Sequence, residues 1–92
     1  MRVKQLAMNQ IILADENGAM FFSYGTLVMM AKKGEKIVLD TNFWNYSRTT
    51  VKYLCQALYI DGGINEIRKA IKEGRYILED LQTSEYEIIK KA

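Results

Sequence analysis

The connections between apolar segments in the first 40 residues are too short for anything but hairpins. Turn-forming residues occupy 15–18 (Asp-Glu-Asn-Gly) and 33–35 (Lys-Gly-Glu), and a further strand is predicted at 36–40. An Asn-Gly pair between apolar runs is the strongest local hairpin signal. A parallel crossover would need about a dozen residues or more. The first half of the chain is therefore predicted to form an antiparallel meander.

The boundaries of the earlier strands are less sharply marked. Residues 2–14 are interpreted as one long strand with an irregularity near Asn9, and a short helix in its first half is the competing interpretation. Residues 19–24 form the next strand. Gly25 interrupts it, which indicates a bulge or bend rather than a stop. Residues 26–32 then continue, and their apolar block is typical of a strand with contacts on both faces.

An amphipathic helix is predicted to open at Ser47, after an aromatic loop. Ser47 is a suitable N-cap, because its hydroxyl can accept a hydrogen bond from the amide of residue 49 or 50. Gly62-Gly63 ends the helix or the turn after it. The apolar stripe of this helix, at spacings i, i+3, i+4 and i+7, consists of Val51, Leu54, Cys55 and Leu58.

The last third of the chain is predicted to contain a second helix, at 64–73, which Gly74 stops. Residues 75–80 are a strand or an extended segment. At the C-terminus, Ser84 can cap a short helix over 85–91, whose early Glu and late Lys suit the helix dipole. A C-terminal strand is the alternative, and it would run through Tyr86, Ile88 and Ile89.

These elements predict an α+β fold, with residues 1–92 forming a single domain. A three- to four-stranded antiparallel sheet would pack against two helices, with a third element at the C-terminus. The 92 residues are 49% apolar and 26% charged, which is ordinary for a globular protein. One apolar face of the sheet must be buried, and the apolar stripes of the two helices can pack against it.

Composition argues against several function classes. The chain has no histidine and one cysteine, so the commonest general base and most zinc-ligand sets are missing. Cys55 lies on an apolar stripe, which favours a small buried hydrophobe over a nucleophile. The single cysteine favours a reducing, cytoplasmic setting. No window approaches the ~18 apolar residues of a membrane span. We therefore expect no enzyme, no metal, no cofactor and no membrane partner.

The start of the first helix is a candidate anion site. Free amides and the helix dipole favour negative charge there, and hydroxyls with basic residues would add to it. A nucleotide or nucleic-acid phosphate could bind, although ordinary helix capping explains the same pattern. The net charge of +2 neither demands nor excludes such a ligand. The residues concerned are Ser47, Arg48, Thr49, Thr50 and Lys52.

The aromatic loop before this helix is a candidate contact surface. Trp44 and Tyr46 are the aromatic residues expected to be exposed there, where they could contact a partner protein or stack on a base. Core packing is the alternative for each of them. The second helix carries both basic and acidic residues, which indicates a mixed, solvated face more than a nucleic-acid patch. These residues are Arg68, Lys69 and Lys72, with Glu66 and Glu73.

The middle of the chain resembles a family of short proteins of unknown function from bacteriophages and related mobile elements. The resemblance spans roughly residues 20–60. Its motifs are a Ser-Tyr-x-Thr strand and a Tyr-Ser-x-Thr-Thr helix opening, followed by a basic residue or histidine, here Lys52 and Tyr53. The matching residues are Phe22-Ser23-Tyr24-Gly25-Thr26-Leu27-Val28, then Gly34, Ile37 and Leu39, then Trp44-Asn45-Tyr46-Ser47-Arg48-Thr49-Thr50.

This resemblance implies a phage protein acting in the cytoplasm of a bacterial host cell. Small phage proteins of this kind often bind host machinery, including CRISPR effectors and other defence complexes. The first functional hypothesis is therefore a non-enzymatic, anti-CRISPR-like inhibitor whose partner is a host defence complex. The second is a nucleotide- or nucleic-acid-binding module that uses the helix start. A small core and exposed sheet edges also favour a homodimer.

Overall fold

A computed structural model describes residues 2–82 and places six strands and two helices in this part of the chain. The strands are β1 (Arg2–Ala7), β2 (Gln10–Asp15), β3 (Gly18–Ser23), β4 (Thr26–Lys32), β5 (Ile37–Asp40) and β6 (Tyr76–Glu79). The helices are α1 (Arg48–Leu58) and α2 (Gly63–Lys72), which lie between β5 and β6 in the chain. The interpretations of residues 84–91, as a helix or a strand, fall outside the described residues.

The first five strands form the predicted antiparallel meander. Two boundaries within it were predicted wrongly. The segment 2–14 is a hairpin rather than one strand, because the chain reverses at Met8-Asn9 and Ala7 pairs with Gln10. Asn9 takes φ 65°, a conformation that Asn tolerates better than most residues.

The second wrong boundary is at Gly25, which lies in a tight turn rather than in a bulged strand. Ser23 pairs with Thr26 across a two-residue loop. Tyr24 and Gly25 have φ values of 53° and 79°, the pair of positive angles that a type I′ turn requires. The bulge in this region lies inside the β3–β4 pair instead, where the register shifts after Phe21.

The sheet is larger than predicted and is mixed rather than purely antiparallel. All six strands are neighbours in chain order, and β6 runs parallel to β5, with Val38 opposite Ile77. The segment from Asp40 to Tyr76 contains both helices, so it is long enough for a parallel crossover. The predicted α+β class is correct, whereas three to four antiparallel strands underestimate the sheet.

Both helices form where the sequence predicted them, although α1 ends at Leu58, before Gly62-Gly63, and Gly63 begins α2. The Ser47 hydroxyl accepts a hydrogen bond from the Thr50 amide at 3.1 Å, as an N-cap does. At the other end Tyr59, at φ 58°, reverses the chain, and its amide donates to carbonyls of the last turn. The α2 start lacks a side-chain N-cap, and the Glu66 carboxylate accepts from the Gly62 amide at 2.7 Å instead.

The main core lies between the helices and one face of the sheet. Its buried residues include Phe21 and Leu39 from the sheet and Leu54 and Ile67 from the helices. A smaller cluster lies on the opposite face, where Leu81 packs against Leu27 and Met30. The chain therefore passes beyond the edge of the sheet after β6 and contributes to its second face.

Candidate binding site

The two motifs noted in the sequence meet in space at the edge of the main core. Ser23 closes β3, Thr50 lies in the first turn of α1, and their hydroxyl oxygens are 2.9 Å apart. The Ser47 hydroxyl lies 3.0 Å from that of Thr50. The helix cap and the end of a central strand are thus joined by a row of hydroxyl groups. Ser23 and Thr50 are buried, and Ser47 is half-buried.

The row of hydroxyls can donate one further hydrogen bond. Ser23, Ser47 and Thr50 each carry one hydroxyl hydrogen, and the two oxygen–oxygen contacts use one hydrogen each. One hydrogen is therefore left for another acceptor. Hydroxyl groups rotate, so this hydrogen can sit at the Ser47 end or at the Ser23 end. Ser23 and Thr50 border a small cavity, so the row can donate a hydrogen bond to a group bound there.

That cavity has a volume of about 190 Å³ and lies between the β3–β4 turn, the aromatic loop and the start of α1. Drug-sized ligands occupy cavities of roughly 300–1,000 Å³, so this one suits a single side chain. No charged residue lines it. Its lining consists of Ser23, Tyr24, Thr26, Val28, Phe43, Tyr46 and Thr50.

Two of the residues that line the cavity are exposed tyrosines. Tyr24 is 53% exposed and Tyr46 is 68% exposed. The positive φ of Tyr24 is unusual for a bulky residue and costs energy, yet the turn is held in place because the Tyr24 amide donates to the Asn9 carbonyl at 2.8 Å. The Tyr46 ring leans on Phe43, with ring centroids 5.8 Å apart. We call Tyr24, Tyr46 and the cavity between them the tyrosine surface.

The loop that carries Tyr46 is fixed by a buried carboxylate. Asp40 ends β5 and is 0% exposed. One of its carboxylate oxygens accepts from the amides of Asn42 and Phe43 at 3.0 and 2.9 Å. The Tyr46 amide in turn donates to the Phe43 carbonyl at 3.2 Å. The tyrosine surface therefore rests on a loop with a defined backbone.

The predicted anion-site residues do not all face one space. Thr50 is buried within the hydroxyl row, and Thr49 is half-buried. Arg48 and Lys52 are exposed, and together with Ser47 they line an open groove of about 560 Å³ between α1 and the start of α2. Asp61 lies on the same groove and offsets part of its positive charge. The Lys52 ammonium also lies 5.2 Å from the centre of the Tyr53 ring.

Cys55 lines the same groove as a buried thiol. Burial raises the pKa of the Cys55 thiol above its ordinary value, and the Glu66 charge raises this pKa further. A hydrogen bond from the Gly63 backbone acts in the opposite direction. The thiol therefore stays protonated at neutral pH, which makes it a poor nucleophile. Within residues 2–82, no group of three or more Cys, Asp or Glu side chains is placed to hold a metal ion.

Trp44 is the clearest error among the predicted contact residues. It is only 6% exposed and belongs to the main core, so the expectation of an exposed indole is wrong. A loop position suggested exposure, but the Trp44 amide bonds to the Asp40 carbonyl at 3.1 Å and this turn directs the loop back over the core. The sequence interpretation also missed Tyr24 as a surface residue. The signal for it was the two-residue Tyr24-Gly25 hairpin loop.

No helix in the described part of the chain has the length and apolar character needed to span a bilayer.

Comparison with known proteins places this chain in a family. Neither the curated proteins nor the solved structures contain a match to this chain. A model of a family of unknown function, DUF8033, matches residues 1–74. This match covers β1 through α2 and includes every residue of the tyrosine surface. The chain therefore belongs to the DUF8033 family of unknown function.

Proposed function

We propose that this chain is a non-enzymatic binding protein that inhibits a host defence complex, in the manner of an anti-CRISPR protein, by contact through the tyrosine surface. The observation that carries the proposal is the exposure of Tyr24 and Tyr46 on both sides of a cavity the size of one side chain. Tyrosine is enriched among the residues that dominate the energetics of protein interfaces.

The geometry of the surface supports contact with a protein rather than a diffusing ligand. A tyrosine ring supplies a large contact area at a low cost in side-chain entropy. The leftover hydroxyl hydrogen, when it lies at the Ser23 end of the row, supplies a donor for a polar group of the partner. The cavity has no charged lining residue, so a partner's charged side chain would be desolvated there without compensation.

The chemistry of the described residues supports binding over catalysis. General acid–base catalysis needs titratable groups that converge on a substrate, and the tyrosine surface contains only hydroxyl, phenol and apolar groups. The one thiol lies elsewhere and its pKa is raised. The choice of a defence complex as the partner rests on the resemblance of the Ser23–Thr26 and Tyr46–Thr50 motifs to phage proteins.

The proposal is tested by phage plaquing on bacteria that carry an active CRISPR effector or another defence system. We expect expression of the full chain to restore plaquing against the sensitive system. Tyr24→Asn and Tyr46→Ala should abolish this protection. The tagged wild-type chain should also recover the effector complex from lysate, and both variants should lose it.

A matched control is available in Tyr59, which is 94% exposed at the end of α1 and lies off the tyrosine surface. Its φ of 58° resembles the 53° of Tyr24, so Tyr59→Asn and Tyr24→Asn make the same change in the same backbone conformation. Protection that survives both substitutions equally would refute a role for the tyrosine surface. Absence of protection in every system tested would refute the inhibitor function.

A second candidate is phosphate binding in the groove between the helices. The observation that favours it is the placement of Arg48 and Lys52 on one groove beside the N-cap of α1, where the helix dipole attracts anions. Labelled single-stranded DNA should then bind with an affinity that falls as salt increases. Arg48→Ala should weaken binding several-fold, whereas Lys33→Ala, in the exposed β4–β5 turn, should not. Equal effects of the two variants would exclude the groove.

A further inference from the structure

Strand β6 forms one edge of the sheet, and no described strand lies beyond it. The Glu79 carbonyl accepts from the Thr41 amide at 2.9 Å, so the backbone groups of Glu79 face the β5 side. Successive residues of a strand direct their backbone groups to opposite edges. Ile77 therefore also faces β5, and the amide and carbonyl groups of Tyr76 and Leu78 face outward, where they are available to another strand.

The side chains of β6 are unusual for an exposed edge. Ile77 and Leu78 are both exposed, and the exposed Arg75 and Glu79 lie on either side of them. Edge strands commonly carry charges of one sign or proline to prevent pairing with another chain. Apolar residues between one cation and one anion favour such pairing instead. In an antiparallel pair of two such segments, the cation of each lies opposite the anion of the other.

The opposite edge of the sheet lacks this property. Strand β1 exposes Arg2 and Lys4 on either side of Val3, and it carries no acidic residue. Two copies of β1 in antiparallel contact would bring like charges together, which is unfavourable between directly opposed strand residues. The two edges therefore differ in a way that favours pairing at β6 only.

We propose that β6 pairs antiparallel with β6 of a second copy of this chain, about a two-fold axis through Ile77. Tyr76 then lies opposite Leu78 of the second copy, and their outward backbone groups exchange hydrogen bonds. Ile77 faces its own counterpart in a non-hydrogen-bonded pair, where opposed side chains are closest. Arg75 lies opposite Glu79 of the second copy, and symmetry repeats this pair.

The alternation of backbone groups selects this register. A shift of one residue would oppose an outward-facing residue to an inward-facing one, and the hydrogen bonds would be lost. A two-fold axis through Leu78 would place Ile77 against Glu79 and would bring Arg75 opposite Leu81, which is buried. The axis through Ile77 pairs the outward-facing backbone groups and also places Arg75 opposite Glu79.

The existing contacts of Arg75 are compatible with this pairing. Its guanidinium lies 2.9 Å from the Glu73 carboxylate, in an ion pair whose members are 54% and 45% exposed. Exposed pairs of this kind contribute little to stability, so Arg75 can contact Glu79 of the second copy at small cost. A four-residue strand gives a small interface, which predicts a weak dimer in rapid exchange with the monomer.

Sedimentation equilibrium of the full chain from micromolar to millimolar concentration tests the proposal. We expect a reversible monomer–dimer equilibrium. Ile77→Lys should abolish it, and Arg75→Glu or Glu79→Arg alone should raise the dimer Kd by about tenfold, because each change affects two symmetric pairs. The double exchange Arg75→Glu with Glu79→Arg should restore the wild-type Kd. Val3→Lys, on the β1 edge, is the control and should leave it unchanged.

Amide hydrogen exchange provides a second, independent measurement. Protection of the Tyr76 and Leu78 amides should increase with protein concentration, whereas that of Ile77 should not, since its amide faces β5. The urea midpoint of each variant checks that the fold is intact. A chain that stays monomeric throughout would refute the proposal. So would a dimer that survives Ile77→Lys, or one that the double exchange fails to restore.

Discussion

The carboxylate of Asp40 accepts a hydrogen bond from the backbone amide of Leu81 at 2.8 Å, although the two residues are 41 positions apart in the chain. Asp40 ends β5 and Leu81 follows β6, so this bond joins the C-terminal ends of the two parallel strands. The same oxygen accepts from the Gln82 side chain at 3.2 Å, and the other oxygen holds the aromatic loop. One buried carboxylate therefore holds both the chain that leaves β6 and the loop that carries Tyr46.

Replacement of Asp40 by Ala should be among the most destabilising changes in the chain. The Leu81 and Phe43 amides would lose their acceptor, and a buried donor without a partner costs about 1–3 kcal/mol. We expect a loss of about 3–5 kcal/mol in the free energy of unfolding, measured by urea denaturation. Asp15→Ala is the control, since Asp15 is exposed and accepts one bond from Asn17 at 2.8 Å. Equal effects would contradict the role of Asp40.

Replacement of Thr50 by Val should destabilise the chain by about 1–2 kcal/mol, because it removes the hydroxyl between Ser23 and Ser47 at nearly constant volume. Ser23→Ala should cost less once Thr50 is already Val, since both changes remove the same contact. A double-mutant cycle from urea unfolding measures this coupling. Additive effects would show that the 2.9 Å contact contributes no energy.

Substitution of Tyr24 should stabilise the fold while it damages the tyrosine surface. Asn tolerates the left-handed backbone and an Asn-Gly pair suits a type I′ turn, so Tyr24→Asn should raise the free energy of unfolding by about 0.5–1 kcal/mol. Tyr24→Val should lower it, since a β-branched residue is poorly suited to this conformation. A lower stability for the Asn variant than for wild type would show that the Tyr24 side chain contributes packing energy.

Truncation of Trp44 should destabilise the chain far more than truncation of Tyr46. Trp44→Ala should destabilise by about 3–5 kcal/mol, the usual cost of removing a buried aromatic side chain. Tyr46→Ala should stay within about 1 kcal/mol of wild type, since its ring is largely exposed. Urea unfolding followed by circular dichroism compares the two without relying on tryptophan fluorescence. Similar losses for both would contradict the placement of Trp44 in the core.

Stability should decline at alkaline pH through two groups. The pKa values of the Cys55 thiol and the Tyr76 phenol are both raised, in each case mainly by burial. The unfolded chain therefore loses these protons at lower pH than the folded chain does. The stabilising effect is complete below the ordinary pKa values and is lost as pH rises through the raised ones. Urea unfolding at increasing pH should show a smaller decline for the Cys55→Ala, Tyr76→Phe variant, and an identical decline would contradict the assignment.

Local signals accounted for most elements of the fold. The Asn17-Gly18 hairpin, the Ser47 cap, the stripe of α1 and the limits of α2 all depend on residues close together in the chain. The errors arose where one local signal has two structural outcomes. Gly25 fits a bulge or a tight turn equally well, and the choice depends on whether β3 pairs with β4, which is a contact between strands. Similarly, the residues of the segment 2–14 fit one irregular strand or a hairpin, and no local signal reveals the reversal at Met8-Asn9.

The candidate site could not be predicted from the sequence, because it depends on contacts between segments that are distant in the chain. The Ser23–Thr26 and Tyr46–Thr50 motifs were recognisable separately, but nothing in either motif indicates that the Ser23 and Thr50 hydroxyls lie 2.9 Å apart. The opposite exposures of Trp44 and Tyr46, two positions apart in one loop, follow from the turn held by Asp40.

The α+β class, the hairpins marked by turn residues and the two amphipathic helices follow from the sequence alone, because propensity, capping and periodicity are local properties. The fold itself was needed to place β6 beside β5 in a mixed sheet, to bring Asp40 and Leu81 together, and to show which aromatic residues face solvent. These features depend on contacts between residues tens of positions apart. Such contacts form where the fold buries apolar surface and gives each buried polar group a hydrogen-bond partner. Both requirements involve the whole fold, so no local pattern encodes them.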